Sequence, residues 1–143
     1  MSCEIENNTQ SVEMIDEVVK NSKTVAIVGL SPKEDKDSNK VGRYLQEHGY
    51  KIIPIYPKED EILGEKVYRS LSDIDGEIDI VDIFRNAEAA GAIVDEAIKR
   101  GSIKCVWLQL GVVNNEAIKR AEDAGMKAIQ NRCLKIEHGR TLS

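Results

Sequence analysis

Two rhythms of apolar and polar positions run along the chain. Short, nearly continuous apolar runs cover residues 24–28, 51–56, 78–83, 104–108 and 126–130, and each reads as a strand. Between them apolar side chains return at helical spacing. Val12, Ile15, Val18 and Val19 predict a helix over 10–20. Val41, Tyr44 and Leu45 predict one from an N-cap at Ser38 to about His48, closed by Gly49. Ala90, Ile93, Val94, Ala97 and Ile98 predict a third over 87–100, capped by Asn86 and closed by Gly101. A fourth spans 115–124 before Gly125. Residues 1–8 read as frayed, 57–77 as a long connection with one helical turn near Ser70–Ile74, and 131–143 as a short helix with a loose end. Pro54 lacks an N–H donor, which places the second strand near a sheet edge.

Apolar strands alternating with amphipathic helices predict an α/β fold. The expected form is a Rossmann-like, doubly wound parallel sheet of about five strands in a three-layer α/β/α arrangement. Residues 1–22 form an N-terminal segment whose short helix packs on a single domain over 23–143. In such sheets a ligand sits beyond the carboxyl ends of the strands, where the strand order reverses. Four corners qualify: Gly29–Ser31, Tyr56–Lys58, Phe84–Arg85 and Gln109–Gly111.

Composition narrows the function. The 143 residues make about one domain, with no room for a second catalytic domain. A net charge of −5 argues against nucleic acid as a partner, which needs a basic face. The sequence has no long apolar run for a membrane span and no basic-then-apolar start, so a cytoplasmic location is expected. Cys3, Cys105 and Cys133 are odd in number and widely spaced, which indicates neither a zinc site nor a disulfide framework. Cys105 reads as a small core residue, whereas Cys133 is either inert or a reactive thiol.

The corners carry the candidate chemistry. Gly29 ends the first strand and lets the backbone turn sharply or a ligand approach closely. The dinucleotide pattern of three glycines is absent, since Ser31 and Glu34 stand at the later positions. Gly29-Leu-Ser31 fits a tight turn as well as a phosphate loop, and Lys33 and Lys36 favour the loop. The second strand ends in Tyr56-Pro57-Lys58, with a cation and no carboxylate. That suits a ribose bearing an extra phosphate, as in NADP or coenzyme A, and equally an ordinary turn. Phe84 can cover a ligand face or cap the core; Arg85 can bind phosphate or pair with Glu88. Trp107 reads as core, and Gln109 can bond an amide of a pantetheine arm. His48 and His138 form no nucleophile pair with Ser31 or Cys133. Asp79 and Asp82, three apart in one strand, point to opposite faces and make no acid/base pair; Asp82 is placed to brace the pocket loops. No catalytic or metal-ligating set follows.

A set of longer strings is more specific than any single corner: Val28-Gly-Leu-Ser-Pro-Lys33, Ser38 with Val41, Tyr44 and Leu45, His48-Gly-Tyr50, Asp79-Ile-Val-Asp-Ile-Phe-Arg85, Val106-Trp-Leu-Gln-Leu-Gly-Val112 and Asn131-Arg-Cys-Leu-Lys-Ile136. In these the chain resembles the small single-domain CoA-binding proteins of bacteria and archaea. It thereby also resembles the CoA-binding domain of the succinyl-CoA synthetase alpha subunit and of ADP-forming acyl-CoA synthetases. The resemblance implies phosphate contacts at Gly29, Ser31 and Lys33, an adenosine end at Pro57 and Phe84–Arg85, and pantetheine at the Gln109 loop. Tyr56-Pro57 stands where the family often has Asn-Pro, and Lys36 where an Arg is common. The phosphorylated-histidine domain of the synthetases has no counterpart here.

The candidate binding set is therefore Gly29, Ser31, Pro32, Lys33, Lys36, Ser38, Val41, Tyr56, Pro57, Lys58, Phe84, Arg85, Gln109 and Gly111. The expected function is binding of coenzyme A or a short acyl-CoA by a stand-alone, non-catalytic module, with a homo-oligomer left open. The alternatives are an NADP-binding oxidoreductase or sensor, a sulfur-transfer enzyme using Cys133, and a subunit docking onto an acyl-CoA synthetase.

Overall fold

The computed structural model describes residues 11–142. The fraying expected over residues 1–8, together with Cys3 and the last residue, lies outside the described residues. In chain order the elements are α1 (Val12–Asn21), β1 (Thr24–Val28), α2 (Asp37–Glu47), β2 (Lys51–Ile55), β3 (Glu61–Ile62), β4 (Glu65–Lys66), a 3-10 turn (Leu71–Asp73), β5 (Ile78–Ile83), α3 (Ala87–Arg100), β6 (Ile103–Leu108), α4 (Asn115–Asp123), β7 (Lys127–Ile129) and α5 (Leu134–Thr141).

Five strands form one parallel sheet in the order β2-β1-β5-β6-β7. Its strands are buried on both sides, which is why they read as apolar runs and not as alternating ones. On one face Val81, Ile83, Val106 and Leu108 pack with Ala90 and Val94 of α3 and Ala117 of α4. On the other Ile27, Ile80, Trp107 and Ile129 pack with Ile15 and Val19 of α1, Leu45 of α2 and Leu134 of α5. The architecture is the three-layer, doubly wound, Rossmann-like α/β fold expected from the pattern.

Local signals set most boundaries. Ser11 caps α1 by accepting from the Met14 N–H, and Asn86 and Asn114 cap α3 and α4 through Ala89 and Ala117. Ser38 does not cap α2, contrary to the sequence reading. It lies within the helix, 5% exposed, and Lys36 is the N-cap without a side-chain bond. The Ser38 hydroxyl is drawn instead to the loop before the helix, as described below.

Pro54 lies in the edge strand β2, as its missing donor requires. Its carbonyl accepts from Tyr68 N–H on the open side, so its nitrogen faces where no ladder donor is needed. The long connection over 57–77 holds an antiparallel hairpin, β3–β4, that the sequence did not announce. Two-residue strands show no alternation. Their turn, Leu63-Gly64, has both residues at positive φ, the geometry that joins tight hairpins.

Candidate functional site

Sequence order reverses between β1 and β5, which pair with each other although both lead to neighbours on opposite sides. This is the switch point at which doubly wound sheets bind ligands. Gly29 leaves β1 and Phe84–Arg85 leave β5 at this point. Gly29 has φ +87°, and a Cβ there would stand 2.8 Å from the Phe84 carbonyl oxygen. Glycine is thus required twice, by dihedral and by the closeness of the neighbouring strand exit.

The loop after Gly29 is fixed by the first turns of α2. The Ser31 N–H donates to Ser38 Oγ at 3.0 Å, and Asn39 Nδ2 donates to the Ser31 carbonyl at 2.9 Å. Lys33 N–H donates to Ser31 Oγ at 3.1 Å, leaving the Ser31 hydroxyl hydrogen available. Arg43 holds the far side of the loop through the Glu34 carbonyl at 2.8 Å. Burial of Ser38 and Asn39 follows from this role. Sequence reasoning missed Asn39 and Arg43, whose helical spacing looked like an ordinary polar face. The opening N–H groups of α2 have no intrahelical acceptor and no side-chain cap, but Asp37 supplies a carboxylate in the same turn.

A cleft of about 280 Å³ opens at the switch point, lined by Gly29, Tyr56, Pro57, Arg69, Arg85 and Glu96 among others. Arg69 organises its far wall. Its Nη1 lies 3.0, 3.0 and 2.9 Å from the carbonyls of Tyr56, Lys58 and Glu59. This clamp holds Glu59 at φ +67°, outside the usual range for its type. Nothing local in the sequence points to Arg69, because its partners lie ten or more residues earlier. Arg85 is exposed and makes no hydrogen bond or ion pair among the described residues, so the pairing with Glu88 is not formed. Glu96, brought in by α3, adds a carboxylate acceptor to the lining.

A second cleft, of about 340 Å³, lies beside Phe84. Asp37, Lys40, Val41, Phe84, Gln109 and Cys133 are among its lining residues. Gln109 is 5% exposed, and its Oε1 accepts from the Leu134 N–H at 3.0 Å, capping α5. Leu110 and Ile136 stand at the rim, 62% and 59% exposed. Gly111 N–H donates to Asn131 Oδ1 at 2.8 Å, tying two loops together. Of the fourteen candidates, Gly29, Tyr56, Pro57 and Arg85 line the first cleft, and Val41, Phe84 and Gln109 the second. Ser31 and Ser38 shape the loop between, while Pro32, Lys33, Lys36 and Lys58 are exposed outside both linings.

Titratable groups elsewhere have separate roles. Asp79, at the opposite end of β5, accepts from the Lys23 and Thr24 N–H groups and pairs with Lys104. Burial acts to raise its carboxyl, but these donors hold it below the ordinary value. Asp82 is fully buried, and neither of its oxygens has a hydrogen-bond partner; it braces no loop. Burial keeps its carboxyl protonated well above the usual range. Burial likewise pushes the Cys105 thiol up, in keeping with a core role. Trp107 is core, its Nε1 donating to the Arg132 carbonyl. His48 and His138 pack with Tyr44 between α2 and α5, and neither bonds to Ser31 or Cys133. Among the described residues no group of three His, Cys, Asp or Glu is placed to hold a metal ion, and no helix is long and apolar enough to cross a membrane.

Comparison with known proteins places the fold in a family. The Bacillus subtilis protein YneT is 39% identical over 127 residues, spanning 89% of this chain and 93% of YneT. A Pyrococcus horikoshii protein of known structure superposes with a TM-score of 0.87 at 43% identity, covering 93% of each chain. The ADP-forming acetate–CoA ligase of Methanocaldococcus jannaschii is 31% identical over 121 residues, 80% of this chain but only 17% of the ligase. The pattern that defines the CoA binding domain matches residues 23–139. The chain therefore belongs to the CoA-binding domain family.

Proposed function

We propose that this protein binds coenzyme A or a short acyl-CoA at the switch point, as a stand-alone module without catalysis of its own. The observation that carries this reading is a pair of clefts at neighbouring strand exits, one lined by Gly29 and Arg85 and the other by Phe84 and Gln109. One offers an unpaired arginine, a clamped Pro57 corner and a carboxylate, a setting for a phosphorylated nucleoside. The other is longer on apolar surface and ends at a thiol, a setting for a pantetheine arm. The loop after Gly29 carries the Ser31 hydroxyl, whose hydrogen can be donated to a pyrophosphate oxygen. The donor set fits such a ligand, which supplies three phosphates at one end and two amides along its arm. The Gln109 oxygen is committed to α5, so an amide contact there comes from its nitrogen.

The acetate–CoA ligases are much longer than this chain, and their reaction is not carried over.

The test is Arg85→Ala. Loss of a charge-assisted phosphate contact weakens coenzyme A binding by about 1.5–3 kcal/mol. Unchanged affinity in a folded variant removes Arg85, and with it the phosphate end, from the first cleft.

A further inference from the structure

Cys133 is the thiol that the binding reading leaves without a task. We propose that Cys133 captures the ligand's sulfur, forming a mixed disulfide with coenzyme A by exchange with a disulfide of the cofactor. This rests on the reading above, which lays the thiol-bearing end of the ligand in the second cleft.

Three observations place the chemistry there. Cys133 is a partly buried free cysteine that lines this cleft. It is the N-cap of α5, yet its side chain makes no capping bond, so the sulfur is not committed to the helix. Gln109 is a second and separate sign of a ligand. It is 5% exposed, its Oε1 is used by Leu134, and its Nε2 has no hydrogen-bond partner among the described residues while it lines the same cleft. On a side chain otherwise buried, this nitrogen is the one polar group left open, and it can donate to an acceptor of a ligand in the cleft. The surroundings suit the reaction as well. Asp37, Lys40 and Lys135 line the same cleft, so its polar wall can hold the charged and amide groups of a bound disulfide. Leu110 and Ile136 at the rim give the thioethyl end of the arm an apolar resting place.

The step conserves disulfide bonds. The Cys133 sulfur attacks one sulfur of coenzyme A disulfide, the S–S bond of that disulfide breaks, and a Cys133–S–S–CoA bond forms. The departing coenzyme A thiolate takes up the proton released from Cys133. No outside oxidant or reductant takes part. Cys105 cannot compete, because it is 1% exposed in the sheet core.

The experiment uses the full chain. Reduced protein is first titrated with coenzyme A in the presence of reductant. Reductant is then removed, coenzyme A disulfide or oxidised glutathione is added, and intact mass and peptide mapping follow the adduct. A Cys3→Ser variant is run in parallel. The proposal predicts one adduct, mapped to Cys133, reversed by reductant and unaffected by Cys3→Ser. It predicts formation at least about tenfold faster with coenzyme A disulfide than with oxidised glutathione, because binding positions the reacting sulfur. An adduct at Cys3, equal rates with the two disulfides, or no adduct in protein that titrates coenzyme A each overturns the capture and leaves the binding reading intact. Failure to titrate coenzyme A at all overturns the binding reading and the capture with it.

Discussion

Two constraints meet on Gly29: a φ of +87° and a Phe84 carbonyl 2.8 Å from where a Cβ would be. Gly29→Ala therefore costs at least about 2 kcal/mol in stability, measured by urea denaturation, and displaces the β5 exit that carries Arg85. Stability equal to the wild type in that variant contradicts the close approach. Asp82 imposes a different constraint. Its native carboxyl keeps its proton well above the ordinary value, while the unfolded chain releases one near pH 4. The unfolded state thus binds fewer protons than the native state above that point, and stability falls as pH rises from about 4 to the native titration point. Asp82→Asn removes this slope, which denaturation midpoints across a pH series will show. A slope unchanged in the variant assigns it to another group. Both residues were visible in the sequence, Gly29 by its place after an apolar run and Asp82 as a polar residue in one. Only the structure shows that the carboxyl has no partner.

Among the elements, α5 connects the most distant features. Its amino end is capped by Gln109 and carries Cys133, and its carboxyl half is tied to α1 and α2. His138 accepts or donates a 2.8 Å bond through Nδ1 to the Tyr44 hydroxyl, and its ring lies 5.0 Å from that of His48. Arg140 adds bonds to Asp16 and Glu137. Burial, and then the neighbouring His48, hold the His138 imidazole below the usual histidine value. In the unfolded chain His138 takes up a proton near pH 6.5, so there the unfolded state binds more protons. Stability from this group is present above about pH 6.5 and is lost on acidification toward its native pKa. His138→Gln abolishes that part of the acid loss, as denaturation at about pH 7.5 and pH 5.5 will reveal. An identical acid loss in the variant contradicts it. The helix itself was legible in the tail of the sequence. The His48–Tyr44–His138 packing was not, because it joins residues about ninety positions apart that share no local pattern. Arg69 escaped notice for the same reason. The β3–β4 hairpin was hidden by its length, since strands of two residues have no period to read.

For the whole molecule, the parallel sheet was legible because burial on both faces leaves apolar runs, and because asparagine caps and terminal glycines punctuate the helices between them. Strand ends then follow, and the switch point follows from strand order. The sequence could not show how the four corners divide. They line two separate clefts, with Phe84 in one and Arg85 in the other, and Ser38 is turned from an expected helix cap into a support for the loop after Gly29. That division is why the proposed ligand is an elongated one, with a phosphorylated nucleoside at one end and a flexible arm at the other. The most direct test is a calorimetric titration of ligand-free protein with coenzyme A, its 3′-dephospho form, NADPH and NADH. The account predicts binding of coenzyme A that weakens without the 3′-phosphate, with NADPH and NADH binding more weakly than either. Tighter binding of NADPH than of coenzyme A contradicts it.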